Sequence, residues 1–286
     1  MREAGLDPDD VLAVIRRGVE EDLGTAGDLT STATVAADAR LVCRYVPRAA
    51  GVIAGMPVLA AIVDHCLGRD ATLRAVAADG DRLEPGQPIA TIEAPARGVL
   101  AIERLSLNLL GHLSGIATVT GAWVDAVAGT SARIRDTRKT TPGLRNLEKY
   151  AVRCGGGVNH RRGLDDGVLI KDNHVSAAGG VAQALTRVRE ANLGDDIPVQ
   201  VEVDDMTELF DALANGASAI LLDNFTDDEL SDAVSFVRRT RPEVVLEASG
   251  GLSLDRARAV AATGVDYLAV GGLTHSAPSL DIGLDT

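Results

Sequence analysis

The segment RDTRKTTPGLRNLEKYAVRCGGGVNHRRGLDDGVLIKDNH, residues 135–174, gathers cations in a chain that is otherwise acidic. Between 133 and 171 stand ten Lys and Arg against four Asp and Glu, whereas the whole chain carries a formal net charge of −13. A protein gripping nucleic acid neutralises many phosphates and is basic over a wide face, so nucleic acid is not the expected partner. A local cluster suits a pocket for a polyanionic small molecule. Arg138-Lys139 precedes the turn Thr140-Thr141-Pro142-Gly143, and Lys171 closes the apolar run 167–170 before Asp172-Asn173-His174. Charges at the ends of buried strands are not ordinary surface decoration.

Two acids and two glycine turns complement these cations. Glu202 and Asp223, on successive apolar runs, are oxygen donors of the kind Mg²⁺ takes, one or two carboxylates with water and phosphate oxygens filling the shell; an acid/base pair is the competing use. Ala248-Ser249-Gly250-Gly251 and Val270-Gly271-Gly272-Leu273 follow the last two runs. Glycine lets backbone N–H groups approach an anion, and phosphate sites of β/α barrels lie in the loops after the final strands. Earlier in the chain Arg104, Asn108 and His112 recur every four residues on an otherwise apolar helix, either its wet face or a stripe turned to a polar site.

The elements that must position these groups fall into two sets. Asp7-Pro8 reads as an N-cap and first turn, opening a helix with Val11, Leu12, Ile15 and Val19 on one face. From 39 to 100 short β-type runs alternate with turns, among them a hairpin at 80–89 with the look of half a lipoyl module but no acceptor Lys at its tip. Residues 101–128 form a long helix. Six apolar runs follow, 132–135, 168–170, 199–203, 219–222, 244–246 and 267–270, separated by helical patterns such as 177–191, 206–215, 227–239 and 254–262. This alternation implies a parallel sheet with right-handed crossovers, and six strands are too few for a complete eight-stranded barrel. The expected fold is an N-terminal α+β sandwich-like domain, residues 1–114 with the C-terminal tail 275–286, followed by an open, incomplete parallel β/α barrel at 115–274 that holds the chemistry at the C-terminal ends of its strands.

With 46% apolar but only 2% aromatic residues, the core must be built from Ala, Val, Leu and Ile. No segment approaches the roughly 18 apolar residues of a membrane span, and acids stand where a secretory signal carries basic residues. A cytoplasmic protein with no membrane partner is expected. Cys43, Cys66 and Cys154 are isolated, without ligand-like spacing.

The chain resembles the quinolinate phosphoribosyltransferases, also called carboxylating nicotinate-nucleotide pyrophosphorylases, over nearly its whole length. The resemblance is carried by EDLG…GDLTS at 21–31, AGVIAG at 50–55, ERLSLNLLGHLSGIAT at 103–118, the block 136–174, VEVD at 201–204, LLDN at 221–224, EASGG at 247–251 and VDYLAVGGLTHSAPSLDIGLD at 265–285. It implies transfer of phosphoribose from 5-phosphoribosyl-1-pyrophosphate to the ring nitrogen of quinolinate, with loss of CO₂ and pyrophosphate, giving nicotinate mononucleotide for NAD synthesis. By matching position it gives Arg138, His160, Arg161 and Lys171 the quinolinate carboxylates, with Arg104 reaching in from a second subunit. Lys139, Glu202 and Asp223 would serve the donor and Mg²⁺, with Ser249, Gly250, Gly271 and Gly272 on the 5-phosphate and His275 close by. Lys139 is also the candidate proton donor to the decarboxylated carbon. The implied assembly is a homodimer with shared active sites, or a higher homo-oligomer.

Three other readings compete. A sugar-phosphate aldolase or isomerase would use Lys171 as a Schiff-base nucleophile, leaving Arg138, His160 and Arg161 without a task. A same-fold relative would take another anionic substrate, and a non-catalytic binding protein would return its ligand unchanged.

Overall fold

The computed structural model describes every residue of the chain except Asp195 and the side chain of Glu3. Asp7 caps the first helix as expected, its side chain accepting the Asp9 N–H, and α1 runs Pro8–Leu23 with Val11 and Ile15 buried. Asp28 caps α2, Leu29–Thr34, in the same way through the Ser31 N–H. The β-type runs become β1 (Arg40–Pro47), β2 (Gly51–Val52), β3 (Thr72–Ala75), β4 (Arg82–Leu83) and β5 (Ala90–Pro95), with α3 (Met56–Leu67) inserted after β2. In β1 and β5 burial alternates along the strand, Cys43 and Tyr45 inward, Arg44 and Glu93 outward, as a half-buried antiparallel sheet requires. The long helix α4 spans Ala96–Ala126, and α5 spans Arg145–Cys154.

The six expected parallel strands are all present: β6 (Arg133–Arg135), β7 (Val168–Ile170), β8 (Val199–Val203), β9 (Ala219–Asp223), β10 (Val245–Ser249) and β11 (Tyr267–Ala269). Every ladder between them is parallel, and their order is β6-β11-β10-β9-β8-β7. The first two strands therefore lie at opposite edges, and among the described residues no ladder joins them. This is the open barrel that the six apolar runs implied. Helices α6 (Asp172–Ala178), α7 (Val181–Glu190), α8 (Met206–Ala214), α9 (Asp227–Thr240) and α10 (Ala257–Ala262) alternate with the strands. Asp205 caps α8, and a reciprocal Thr226–Glu229 pair caps α9, so both helices start within a few residues of a strand end. The single helix expected over 177–191 is instead two, because Gly179 and Gly180 take φ of 92° and 136°.

After the barrel a short helix α11 (Gly272–His275) leads to β12 (Ile282–Asp285). β12 pairs antiparallel with β1, completing the four-stranded sheet β12-β1-β5-β3. The approach to β12 lies against α4, where the Leu280 N–H donates to Gly111 O at 2.9 Å. A Cβ at Gly115 would stand 2.1 Å from Pro278 O and one at Gly111 2.8 Å from Leu280 O, so both positions require glycine.

Contacts divide the chain into two compact units, one of Met1–Gly121, Lys139–Gly157 and Gly272–Thr286, the other of Ala122–Arg138 and Val158–Gly271. They interleave along the chain, and residues 114 and 115 both fall in the first. α4 is unbroken through both. α5 packs within the first unit, where Tyr150 donates to the half-buried Asp79, Asn146 donates to Asp10 and Arg153 donates to Ala4 O.

Candidate active site

In the second unit the expected residues stand at strand ends. Lys171 follows β7 directly, and its Nζ donates to Glu202 Oε2 at 2.7 Å across the gap to β8. Lys171 remains half exposed, whereas Glu202 is buried, with 8% of its side chain exposed. Asp223 ends β9 and is in register with Ser249 at the end of β10. Partial desolvation, reinforced by the charges of Glu208, Asp223, Glu202 and Asp172, pushes the carboxyl of the exposed Asp204 above the usual range.

The loops after β9 and β10 interlock through backbone conformations that few residues adopt. Asn224 holds φ 59°, its N–H donates to Ser249 O at 3.0 Å, and its side-chain amide donates to Asp223 Oδ2 at 2.7 Å. Gly250 holds φ 82°, and a Cβ there would stand 2.2 Å from Asn224 Oδ1. Only glycine fits.

Arg138, His160 and Arg161 come from the segments that join β6 to β7. Arg161 donates from Nη1 to Gly167 O at 2.7 Å; burial first, then the charge of Arg138, pulls its guanidinium below the ordinary value. An arginine whose hold on its proton is weakened by a second arginine nearby is placed to receive an anion. His160 follows the buried Asp136, whose carboxylate accepts the His160 N–H at 2.8 Å and the Asn159 amide at 2.6 Å.

Between these ends the concave face of the sheet is polar. Arg135 on β6 donates from Nη1 to Glu247 Oε2 on β10 at 2.7 Å and lies over the Tyr267 ring at 3.6 Å. Gln200 on β8 donates to the same carboxylate oxygen at 2.9 Å and meets His160 Nε2 at 2.8 Å. Because β6, β10 and β8 are not neighbours in the sheet, these bonds span its concave face. Arg135, Asp136, Gln200, Asp204, Asn224 and Glu247 were not among the candidate residues. The apolar run 244–246 implies a strand that ends at Leu246, but β10 continues to Ser249 and places Glu247 inside it.

Arg104, Lys139, Gly272 and His275 belong to the first unit. Arg104 and Asn108 are exposed on α4, while His112 donates from Nε2 to Glu148 Oε1 at 2.9 Å. The stripe thus divides, with one residue turned into the unit and two left outside. Lys139 is exposed, its carbonyl accepting the Thr274 hydroxyl at 2.8 Å, and His275 is exposed beside Ser276. Gly272 opens α11.

The carboxylates fit a hard divalent cation. Among the described residues no group of three His, Cys, Asp or Glu forms a ready cage. Glu202 and Asp223 are the one or two carboxylates that could meet a Mg²⁺ ion whose octahedron phosphate oxygens and water complete.

An open β/α barrel with paired arginines, strand-end carboxylates and glycine loops in one unit defines a protein that binds anionic small molecules. Residues 28–114 match the N-terminal domain and residues 116–285 the C-terminal domain of quinolinate phosphoribosyl transferase. A nicotinate-nucleotide pyrophosphorylase [carboxylating] of Mycobacterium leprae is 55% identical over 273 residues, 95% of each chain, and a probable one of Bacillus subtilis is 42% identical over 268 residues, 93% of this chain and 89% of that one. The structure of the nicotinate-nucleotide pyrophosphorylase from Francisella tularensis superposes with a TM-score of 0.90 at 34% identity, covering 98% of this chain and 97% of that one. The chain belongs to the quinolinate phosphoribosyl transferase family.

Proposed function

We propose that the chain transfers phosphoribose from 5-phosphoribosyl-1-pyrophosphate to the pyridine nitrogen of quinolinate, releasing pyrophosphate and CO₂ and yielding nicotinate mononucleotide for NAD synthesis. The observation that carries the reading is the arrangement within the parallel sheet: neighbouring Arg138 and Arg161 on one side, and Lys171, Glu202 and Asp223 on adjacent strand ends. Quinolinate is a dianion, and planar guanidinium groups grip carboxylates in bidentate fashion. Arg138, Arg161 and Lys171 bind it. Glu202 and Asp223 would hold Mg²⁺, which would supply charge neutralisation to the departing pyrophosphate. Ser249, Gly250 and Gly271, all of the second unit, cradle the 5-phosphate. Loss of the carboxylate next to the ring nitrogen leaves a carbanion beside a pyridinium, and Lys139 is the candidate donor of the proton that carbon takes up. Excluding water strengthens that pairing of opposite charges.

Lys171 is ion-paired with Glu202, an arrangement that suits a fixed ammonium more than the neutral amine of a Schiff-base nucleophile. The discriminating experiment measures CO₂ release from quinolinate, donor and Mg²⁺, with nicotinate in place of quinolinate as the control. Release that requires quinolinate, donor and metal together supports the reading; none under any combination sinks it.

Arg104 is proposed to complete the site of a second copy in a cytoplasmic homodimer, since it stands exposed on an otherwise apolar helix. Arg104→Ala and Lys171→Ala proteins should each be inactive, and random subunit mixing should restore about a quarter of wild-type activity, because half the dimers would each carry one intact site. Verified exchange without recovery would remove Arg104 from that role.

A further inference from the structure

The interior of a β/α barrel is ordinarily filled by layers of branched aliphatic side chains. Here the concave face carries Arg135, Gln200 and the fully buried Glu247. A buried ion pair is weak support for stability, because desolvation offsets much of the attraction and apolar residues of like volume pack as well. Among the described residues the second carboxylate oxygen, Glu247 Oε1, meets no hydrogen-bond donor, which makes the group costlier still. Its presence calls for another explanation.

The hydrogen bonds dictate one another in sequence. Glu247 as a carboxylate only accepts, so Gln200 must turn its NH₂ toward it, the 2.9 Å bond. Gln200 Oε1 then faces His160 Nε2 at 2.8 Å, and an amide oxygen only accepts, so Nε2 must carry the imidazole hydrogen. The other ring nitrogen, Nδ1, is left with a lone pair, and it receives the backbone N–H of Arg161 at 2.7 Å. A doubly protonated ring, or the opposite tautomer, would set hydrogen against hydrogen at one end of this chain. His160 is therefore fixed in its neutral Nε2–H form, and both ring nitrogens have partners inside the chain. Through that last bond the network reaches the backbone of Arg161, whose guanidinium is held on Gly167 O.

We propose that Gln200, oriented by Glu247, is a positioning residue for the pyridine-dicarboxylate subsite: it locks the His160 tautomer and thereby sets Arg161, so that His160 acts through Arg161 and contributes no positive charge. The assignment of the subsite rests on the functional reading above; the tautomer does not.

The experiment uses the full chain with ¹⁵N-labelled histidine. Long-range nitrogen–proton correlation of wild-type protein at neutral pH should show His160 as a single Nε2–H tautomer. In Gln200→Met, which fills the space without an acceptor, and in Glu247→Gln, where the Gln200 amide is free to flip, the two nitrogens should move toward averaged shifts. KM for quinolinate should rise about five- to tenfold, the loss of roughly one hydrogen bond. KM for the phosphoribosyl donor should change less than about twofold. A merely structural role would lower the melting temperature and move neither the tautomer nor the quinolinate KM. Wild-type His160 found as an imidazolium or as the Nδ1–H tautomer overturns the proposal, as does an unchanged quinolinate KM in a variant whose tautomer has been released. Should Gln200→Met fail to fold, the isosteric Glu247→Gln carries the test. Absence of CO₂ release from the wild-type protein overturns the functional reading instead, and the labelled spectra still decide the hydrogen-bond chain.

Discussion

The two sheets of this chain distribute polar and apolar residues in opposite senses. In the antiparallel sheet Cys43, Tyr45, Ala90 and Ile92 point into the core, and Arg44, Glu93 and the exposed Val42 point out; the buried Tyr45 hydroxyl is satisfied by Ser106 at 3.0 Å. In the parallel sheet both faces are covered. On β8 the apolar Val201 and Val203 take one phase, while Gln200 and Glu202 take the concave one. A sheet with one covered face must use that face for stability, whereas a sheet covered on both can leave its concave face to chemistry. Burial therefore means stability in the first sheet and positioning in the second.

The sharpest way to break this contrast is in the first sheet. Tyr45→Ala should remove about 3–5 kcal/mol of stability in urea unfolding, with the activity per folded molecule retained, since a large fully buried ring is lost and its space left partly empty. A small loss there would mean that the antiparallel core is not the stabilising element. At the other end of the contrast, Arg138→Ala and Lys171→Ala should each lower turnover by roughly 10- to 150-fold, about 1.5–3 kcal/mol per charge-assisted bond, with little change in urea midpoint. If their stability falls as far as that of Tyr45→Ala, the division between stability and chemistry is wrong. Glu202→Ala and Asp223→Ala should weaken donor use and raise the concentration of Mg²⁺ needed for half-maximal rate by about tenfold. Chelator-treated protein that turns over at the wild-type rate removes the metal from the account.

The smallest expected effect concerns Asp204. Its carboxyl is pushed up by partial desolvation and by the acids around it, so the folded chain keeps the proton in a window above the usual Asp range where the unfolded chain has lost it. Stability must fall as pH rises through that window. Asp204→Asn should therefore melt slightly higher than wild type at pH 7, with the difference closing below about pH 4. A gap that persists in acid would place its cause elsewhere.

The strands were legible because runs such as Val199–Val203 and Ala219–Leu222 are short, apolar and bounded by polar ends, and the strand-end position of Lys171, Glu202 and Asp223 followed from the same runs. Glu247 was misplaced for the converse reason: a charge inside a strand looks like the end of one. The break at Gly179-Gly180 was hidden because apolar spacing continues on both sides of it. Periodicity could not show that 139–157 packs with the first unit, since the ties of Tyr150 to Asp79 and Asn146 to Asp10 join residues far apart in the chain. The roles of Lys139 and Arg104 came from resemblance, and spacing supplied only their charge and exposure.

The pairing of β12 with β1 also fixes an order of events at the ribosome. Until residues 278–285 emerge, β1 is a bare edge and the glycine face of α4 at 111 and 115 lacks the segment that fits it. Domains made first ordinarily fold first. In this chain the N-terminal sheet, though translated earliest, must wait for the last strand to be released, while the parallel strands between are already free to assemble. Emergence of residues 278–285 is thus the step that closes the N-terminal sheet, and a nascent chain stalled short of residue 278 should bury β6 to β11 yet leave β1 open to protease.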